Sequence, residues 1–135
     1  MNFVKNITSD LKSIPEIIHD LIDKIKTLPF SEGQVHDIKL SLEEALVNAM
    51  KHGNKFDPAL LVTVQIGTDS RALVITVADQ GQGFDFRSIP DPTKPDNLQK
   101  LSGRGVLLIR SHMDEVEYLD SGRKIKMTKF FKKGA

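Results

Sequence analysis

Apolar residues recur at intervals of three and four in two places along this chain. The first series is Leu11, Ile14, Ile17, Ile18, Leu21, Ile22, Ile25 and Leu28. That spacing is the stripe of an amphipathic helix, with Ser9 as its expected cap and Pro15 tolerated in a first turn. After the break "LPFSEG", Ile38, Leu42, Ala45, Leu46 and Ala49 form a second stripe. Ser31 with Gln34 makes a capping box at its start, and Gly53 and Asn54 are expected to close it at about residue 52. "NFVKNIT" (2–8) reads as a short strand. Beyond "KFDP" the period changes to alternation: "LLVTVQIG" (60–67) and "ALVITVAD" (72–79) read as strands, joined as a hairpin by "TDSR". The stretch "QGQGFDFRSIPDPTKPDNLQKLSGRG" has little periodicity and reads as a long loop, a kind more often functional than idle. "VLLIRSHM" is expected to be a helix opening after a glycine pair, and "DEVEYLD", "SGR" and "KIKMTKFF" a closing hairpin.

The order β–α–α–β–β–loop–α–β–β predicts an α+β two-layer sandwich, a mixed, mostly antiparallel sheet with helices on one face. Strands and helices do not alternate regularly, which excludes a doubly wound nucleotide fold. With 135 residues the chain suits a single domain over residues 1–135. A formal net charge of +1 gives no electrostatic case for nucleic acid or an anionic membrane, and the basic stretch "MTKFFKKGA" reads as a solvated end. The absence of cysteine removes disulfides and thiolate chemistry. No apolar run is long enough to span a membrane, and no signal-peptide pattern is present, so the cytoplasm is the expected location.

Three groups of residues bear on chemistry. Glu44, Asn48 and His52 fall four apart in "LSLEEALVNAMKHGN". Periodicity alone places this row away from the apolar stripe, as a solvated face. If the row faces a ligand instead, a carboxylate can take a proton and a carboxamide can hold a hard metal ion through its oxygen. Asp79 follows Leu73, Ile75 and Val77 onto the core side of its strand, where a carboxylate needs a partner. It reads either as a turn-starting aspartate or as an acceptor for a ligand's amine. "DQGQGF" follows, with Gly81 and Gly83 permitting close approach of a ligand, although ordinary turns look the same. In "SGRGVLLIR", Gly103 and Gly105 flank Arg104 before a helix start, where free N–H groups attract phosphate. The alternative is a hinge with a solvated arginine.

Taken in order, these pieces resemble the Bergerat-fold ATPases, the superfamily of gyrase-type ATPase domains and histidine-kinase catalytic domains. Within it the chain is most similar to the anti-sigma factor serine kinases. "EALVNAMKHG" resembles the family's N box, "DQGQGF" its first glycine box, "GRG" its second and "TKP" (93–95) its nucleotide lid, while "MDEVEY" and "KIKMTKF" also look like the family. The resemblance covers nearly the whole chain. It implies an ATP- and Mg2+-dependent serine/threonine kinase. Glu44 would be the general base, with Glu43 as the less favoured candidate. Asn48 would be the magnesium ligand, and the row with His52 would face ATP. Asp79 would bind the adenine amino group. Gly81, Gly83, Gly103, Gly105 and Val106 would shape the nucleotide pocket, with Arg104 and Lys94 as phosphate contacts. Gly122-Arg123 stands where many relatives have Gly-Thr, whose threonine helps seat the adenine, and Val106 stands where a bulkier residue is common. The implied partners are an anti-anti-sigma protein as phospho-acceptor and a sigma factor held inactive, with the kinase as a homodimer. The competing reading is a nucleotide-dependent partner-binding module with little or no kinase activity, and a blander one is a domain that no longer binds nucleotide. His19 is a poor match for a phospho-accepting histidine, because its helix belongs to the domain itself.

Overall fold

The computed structural model describes residues 1–82 and 103–131, with side chains from 108 onward in the second segment. The elements run β1 (Asn2–Thr8), α1 (Ile14–Ile25), α2 (Glu32–Asn48), β2 (Leu61–Thr68), β3 (Ala72–Ala78), α3 (Gly103–His112), β4 (Glu115–Leu119) and β5 (Lys124–Phe130). The five strands form one sheet in the order β1-β2-β3-β5-β4, and the four pairings are all antiparallel. The α+β layering expected from the element order is thus the observed one.

Alternation decides which face of the sheet is covered. Val64 pairs with Val77, Ile66 with Ile75, and Ile75 in turn with Met127, so the inward residues of β2, β3 and β5 stack into one apolar floor. The helices close over it with Ile17, Ile18, Leu21 and Ile25 of α1, Ile38, Leu42, Ala45 and Leu46 of α2, and Ile109 of α3, all buried. The two helical stripes read from spacing are therefore core, except that Leu11 lies exposed in a short turn before α1. On the open face, Glu117 sits across from Lys126, an opposite-charge pair suited to solvent.

Two local expectations change. Ser9 does not cap α1. Asp10 caps the turn Leu11–Ser13, accepting the Lys12 N–H at 3.0 Å, while Ser9 is buried and donates to the Leu60 carbonyl at 2.8 Å. The second helix keeps its predicted capping box, with Gln34 N–H on Ser31 Oγ at 3.1 Å and Ser31 N–H on Gln34 Oε1 at 2.9 Å. It does not continue as an α-helix to residue 52. The α-helical part ends at Asn48, and Ala49–Gly53 form a wider π turn in which the Asn54 N–H reaches the Ala49 carbonyl at 2.8 Å. Single π turns of this kind cluster at functional sites.

Asn54, at the end of that turn, explains why the wider winding persists. Its amide is buried and bonded at both ends. Nδ2 donates to Ser9 Oγ at 2.8 Å and to the Leu61 carbonyl at 3.0 Å, and Oδ1 accepts the Gln80 N–H at 2.8 Å. Gln80 returns a bond, accepting the Leu61 N–H on Oε1 at 2.6 Å. One side chain thereby ties the end of β1, the start of β2 and the residues after β3 to the end of α2. Asn54→Ala leaves these groups unpaired in a buried setting. We expect a loss of about 2–4 kcal/mol, seen as a lowered urea midpoint with an unchanged denaturant slope.

Candidate functional site

The site expected from the sequence begins on α2. Glu44 and Asn48 are one turn apart, and both are half-buried. Asn48 Oδ1 is buried with no hydrogen-bond partner among the described residues, a state shared only with Ser41 Oγ. A serine hydroxyl in a helix can swing to a carbonyl of the preceding turn. A carboxamide oxygen has no such recourse, so Asn48 carries unused acceptor capacity of the kind that suits a hard cation or a ligand donor. The row is thus no simple solvated face. Glu43, beside the row, turns to the groove between α1 and α2, which separates it from Asn48. His52 is exposed and lies within the π turn that follows Asn48. Partial burial and the neighbouring Lys51 charge lower the His52 pKa below its ordinary value.

The π turn delivers Gly53 against the end of β3. A Cβ on Gly53 would lie 2.3 Å from both Cγ and Oδ2 of Asp79. A Cβ on Gly81 would lie 2.0 Å from the Gly53 carbonyl oxygen. Both positions therefore require glycine. The close approach that Gly81 permits is made, within the described residues, by the chain's own backbone. Gly53, read from sequence only as a helix stop, is a contact residue of the aspartate box.

Asp79 serves as a turn residue and retains a carboxylate with capacity to spare. Its N–H extends the β3–β5 ladder to the Arg123 carbonyl at 2.8 Å, and its Oδ1 accepts the Gly81 N–H at 2.9 Å. Burial pushes its carboxyl above the ordinary value, offset in part by the Gly81 N–H and the Arg123 charge, with Asp120 adding a further upward push. A desolvated carboxylate beside a glycine turn is a good acceptor for an amine that brings its own donors.

The second glycine pair is reached through α3, which packs on α2. At the C-terminal end of α3, His112 Nδ1 meets Asp37 Oδ1 at 3.0 Å, and the buried Lys129 donates from Nζ to the His112 carbonyl at 2.5 Å. These bonds anchor the end of α3 against the early part of α2. The first turn of α3 contains Gly103, Arg104, Gly105 and Val106, so the helix opens earlier than the expected "VLLIRSHM" and takes in the glycine pair. Gly83 and Lys94 lie outside the described residues. Among the described residues there is no cluster of three or more His, Asp or Glu side chains able to hold a metal ion, and no helix is long and apolar enough to cross a membrane.

Two residues of the site were not singled out for what they do. Asn54 reads as an ordinary helix stop, because nothing local marks its long-range bonds. Arg123 stands out in sequence only as a departure from the family. In the structure its Nε donates to the Gly81 carbonyl at 2.8 Å and its Nη2 to the Gln82 carbonyl at 3.1 Å.

Comparison with known proteins shows the family. Residues 7–129 match the family described as the histidine kinase-like ATPase domain. The serine-protein kinase RsbW of Bacillus licheniformis is 37% identical over 108 residues, covering 75% of this chain and 68% of that protein. Those of Bacillus cereus (strain B4264) and Listeria innocua are each 30% identical, covering 77% and 75% of this chain and 69% of each relative.

The raised Asp79 carboxyl has a consequence for stability. A group that binds its proton more tightly folded than unfolded costs stability once the pH is above both values, and the cost vanishes as pH falls below the ordinary 3.8. Asp79→Asn keeps an acceptor for Gly81 and removes the charge. We expect it to melt at or above the wild-type temperature at pH 7, with the gap closing as the pH is lowered toward 4, in a series of thermal scans.

Proposed function

This chain belongs to the anti-sigma factor serine-protein kinase family of the histidine kinase-like ATPases, a serine/threonine kinase therefore, and on that premise we propose that it transfers phosphate from ATP to a serine or threonine of an anti-anti-sigma protein and, in the same switch, holds a sigma factor inactive. A cytoplasmic homodimer is part of this reading. The observation that carries it is Asn48. Its buried, unpartnered oxygen sits on the helix whose end is packed directly against Asp79. One continuous piece of backbone thus joins an oxygen suited to a cation and a carboxylate suited to a base's amine.

The roles follow from the chemistry of each group. Asp79 accepts the adenine amino group. Asn48 would hold magnesium through Oδ1, and magnesium, when bound, neutralises phosphate charge. The N–H groups at the start of α3, with Arg104 and Lys94, would hold the phosphate tail. Glu44, one turn before Asn48, takes the proton from the acceptor hydroxyl as its oxygen bonds to the γ-phosphorus and the bond to ADP breaks. Gly81, Gly83, Gly103, Gly105 and Val106 keep the walls close to the nucleotide. His52, exposed in the π turn after Asn48, continues the row that faces ATP.

Titration of the protein with ATP and magnesium, wild type beside Asp79→Asn, tests the pocket. We expect saturable binding that the variant loses. A flat wild-type titration overturns the nucleotide reading. With a cognate acceptor present, Glu44→Ala should keep ATP affinity and lower transfer by roughly a hundredfold or more. An unchanged rate removes Glu44 as base. Binding without transfer to any acceptor supports a partner-binding module in place of a kinase.

A further inference from the structure

We propose that Arg123 is a positioning residue for the nucleotide, holding the 79–82 turn in the one shape that presents Asp79 to the base. The inference rests on the reading of Asp79 as the base anchor. Arg123 grips that turn at both ends. Its main-chain carbonyl accepts the Asp79 N–H at 2.8 Å, and its side chain donates from Nε to the Gly81 carbonyl at 2.8 Å and from Nη2 to the Gln82 carbonyl at 3.1 Å. The third guanidinium nitrogen is held as well, with Nη1 at 3.3 Å from the Asp120 carbonyl and 3.5 Å from Asp120 Oδ1. Asp120, Ser121 and Gly122 carry the chain into Arg123 with φ of 51°, 55° and 84°, a left-handed corner that fixes where the arginine starts.

The physical need is plain. A segment containing Gly81 has many backbone shapes open to it, and each must be given up when a ligand binds. Gly81 N–H is the bond that orients Asp79 Oδ1, so the turn's shape and the carboxylate's direction are one variable. A planar guanidinium with fixed donors on two successive carbonyls removes that freedom before binding, which a lysine's single ammonium does less well. The arginine also places a positive charge beside the carboxylate. None of these contacts reaches Glu44 or Asn48, so the effect is confined to the base end.

The test compares wild type, Arg123→Ala, Arg123→Lys, Asp79→Asn and the Asp79→Asn/Arg123→Ala double variant. Three quantities are read for each: ATP affinity with magnesium by calorimetry, the urea midpoint, and hydrogen exchange at the Gly81 amide without nucleotide. We expect Arg123→Ala to weaken ATP binding by about tenfold, the scale of losing hydrogen bonds from a charged group. It should speed exchange at Gly81 well beyond any change in the urea midpoint. Arg123→Lys, which leaves no cavity, should fall between the two, and the double variant should bind no more weakly than Asp79→Asn alone. Unchanged affinity in Arg123→Ala, with Asp79→Asn defective, overturns the role of Arg123 and leaves the base anchor standing. Loss of affinity in step with the urea midpoint, with no selective exchange at Gly81, reduces Arg123 to a scaffold residue and also overturns it. A wild type that binds no nucleotide overturns the base anchor and this inference together.

Discussion

Gly53 lies so close to Asp79 that no side-chain carbon fits between them, and the rest of the site depends on that contact. It fixes the π turn that follows α2 against the residue that follows β3. The contact is possible because α2 abandons α-helical winding after Asn48, and the wider turn is held by Asn54, whose amide bonds to Ser9, Leu61 and Gln80. A substitution at Gly53 or Gly81 would separate the two walls, since the atoms in the way are a carboxylate and a backbone carbonyl with little room to yield.

The hydrophobic layers were legible because they rest on local period. The stripe from Ile14 to Ile25, the stripe from Ile38 to Ala49 and the alternation of β2 and β3 each repeat often enough to identify the buried face. The capping box of Ser31 and Gln34 was legible for the same reason: both of its bonds lie within one turn. The π turn was not legible. Its cause is a set of bonds from Asn54 to residues far away in sequence, and "HGN" at a helix end looks like any helix stop. Ser9 failed as a predicted cap for a related reason. A buried tertiary partner, the Leu60 carbonyl, competes for its hydroxyl, and Asp10 takes the local role.

The site was legible in composition and only partly in geometry. Glu44, Asn48 and Asp79 were identified from motif order, and the structure adds that the Asn48 helix and Asp79 are joined through Gly53. The four-residue row runs on from Asn48 to His52 through a π turn that spacing alone does not show. Arg123 was visible only as a missing threonine. Its hold on Gly81 and Gln82 emerges from the pairing of β3 with β5, which sets Ala78 beside Lys124 and so brings the start of β5 to the aspartate box.

A contrast between two asparagines says where a ligand belongs. Asn54 and Asn48 lie on the same segment and are of the same chemical type. Asn54 spends its carboxamide on the protein, with two bonds from Nδ2 and one to Oδ1. Asn48 has its oxygen buried and unspent among the described residues. Leaving a buried acceptor unpaired costs stability, as does desolvating the Asp79 carboxyl, and the surrounding structure is otherwise thorough in satisfying such groups. Both costs fall on either side of the one turn that Gly53 and Asn54 hold in place. Sites shaped for binding are drawn from positions that the fold alone does not favour. That these two positions flank a single junction, with Arg123 closing the far side, makes the junction the unit of recognition in the function proposed above.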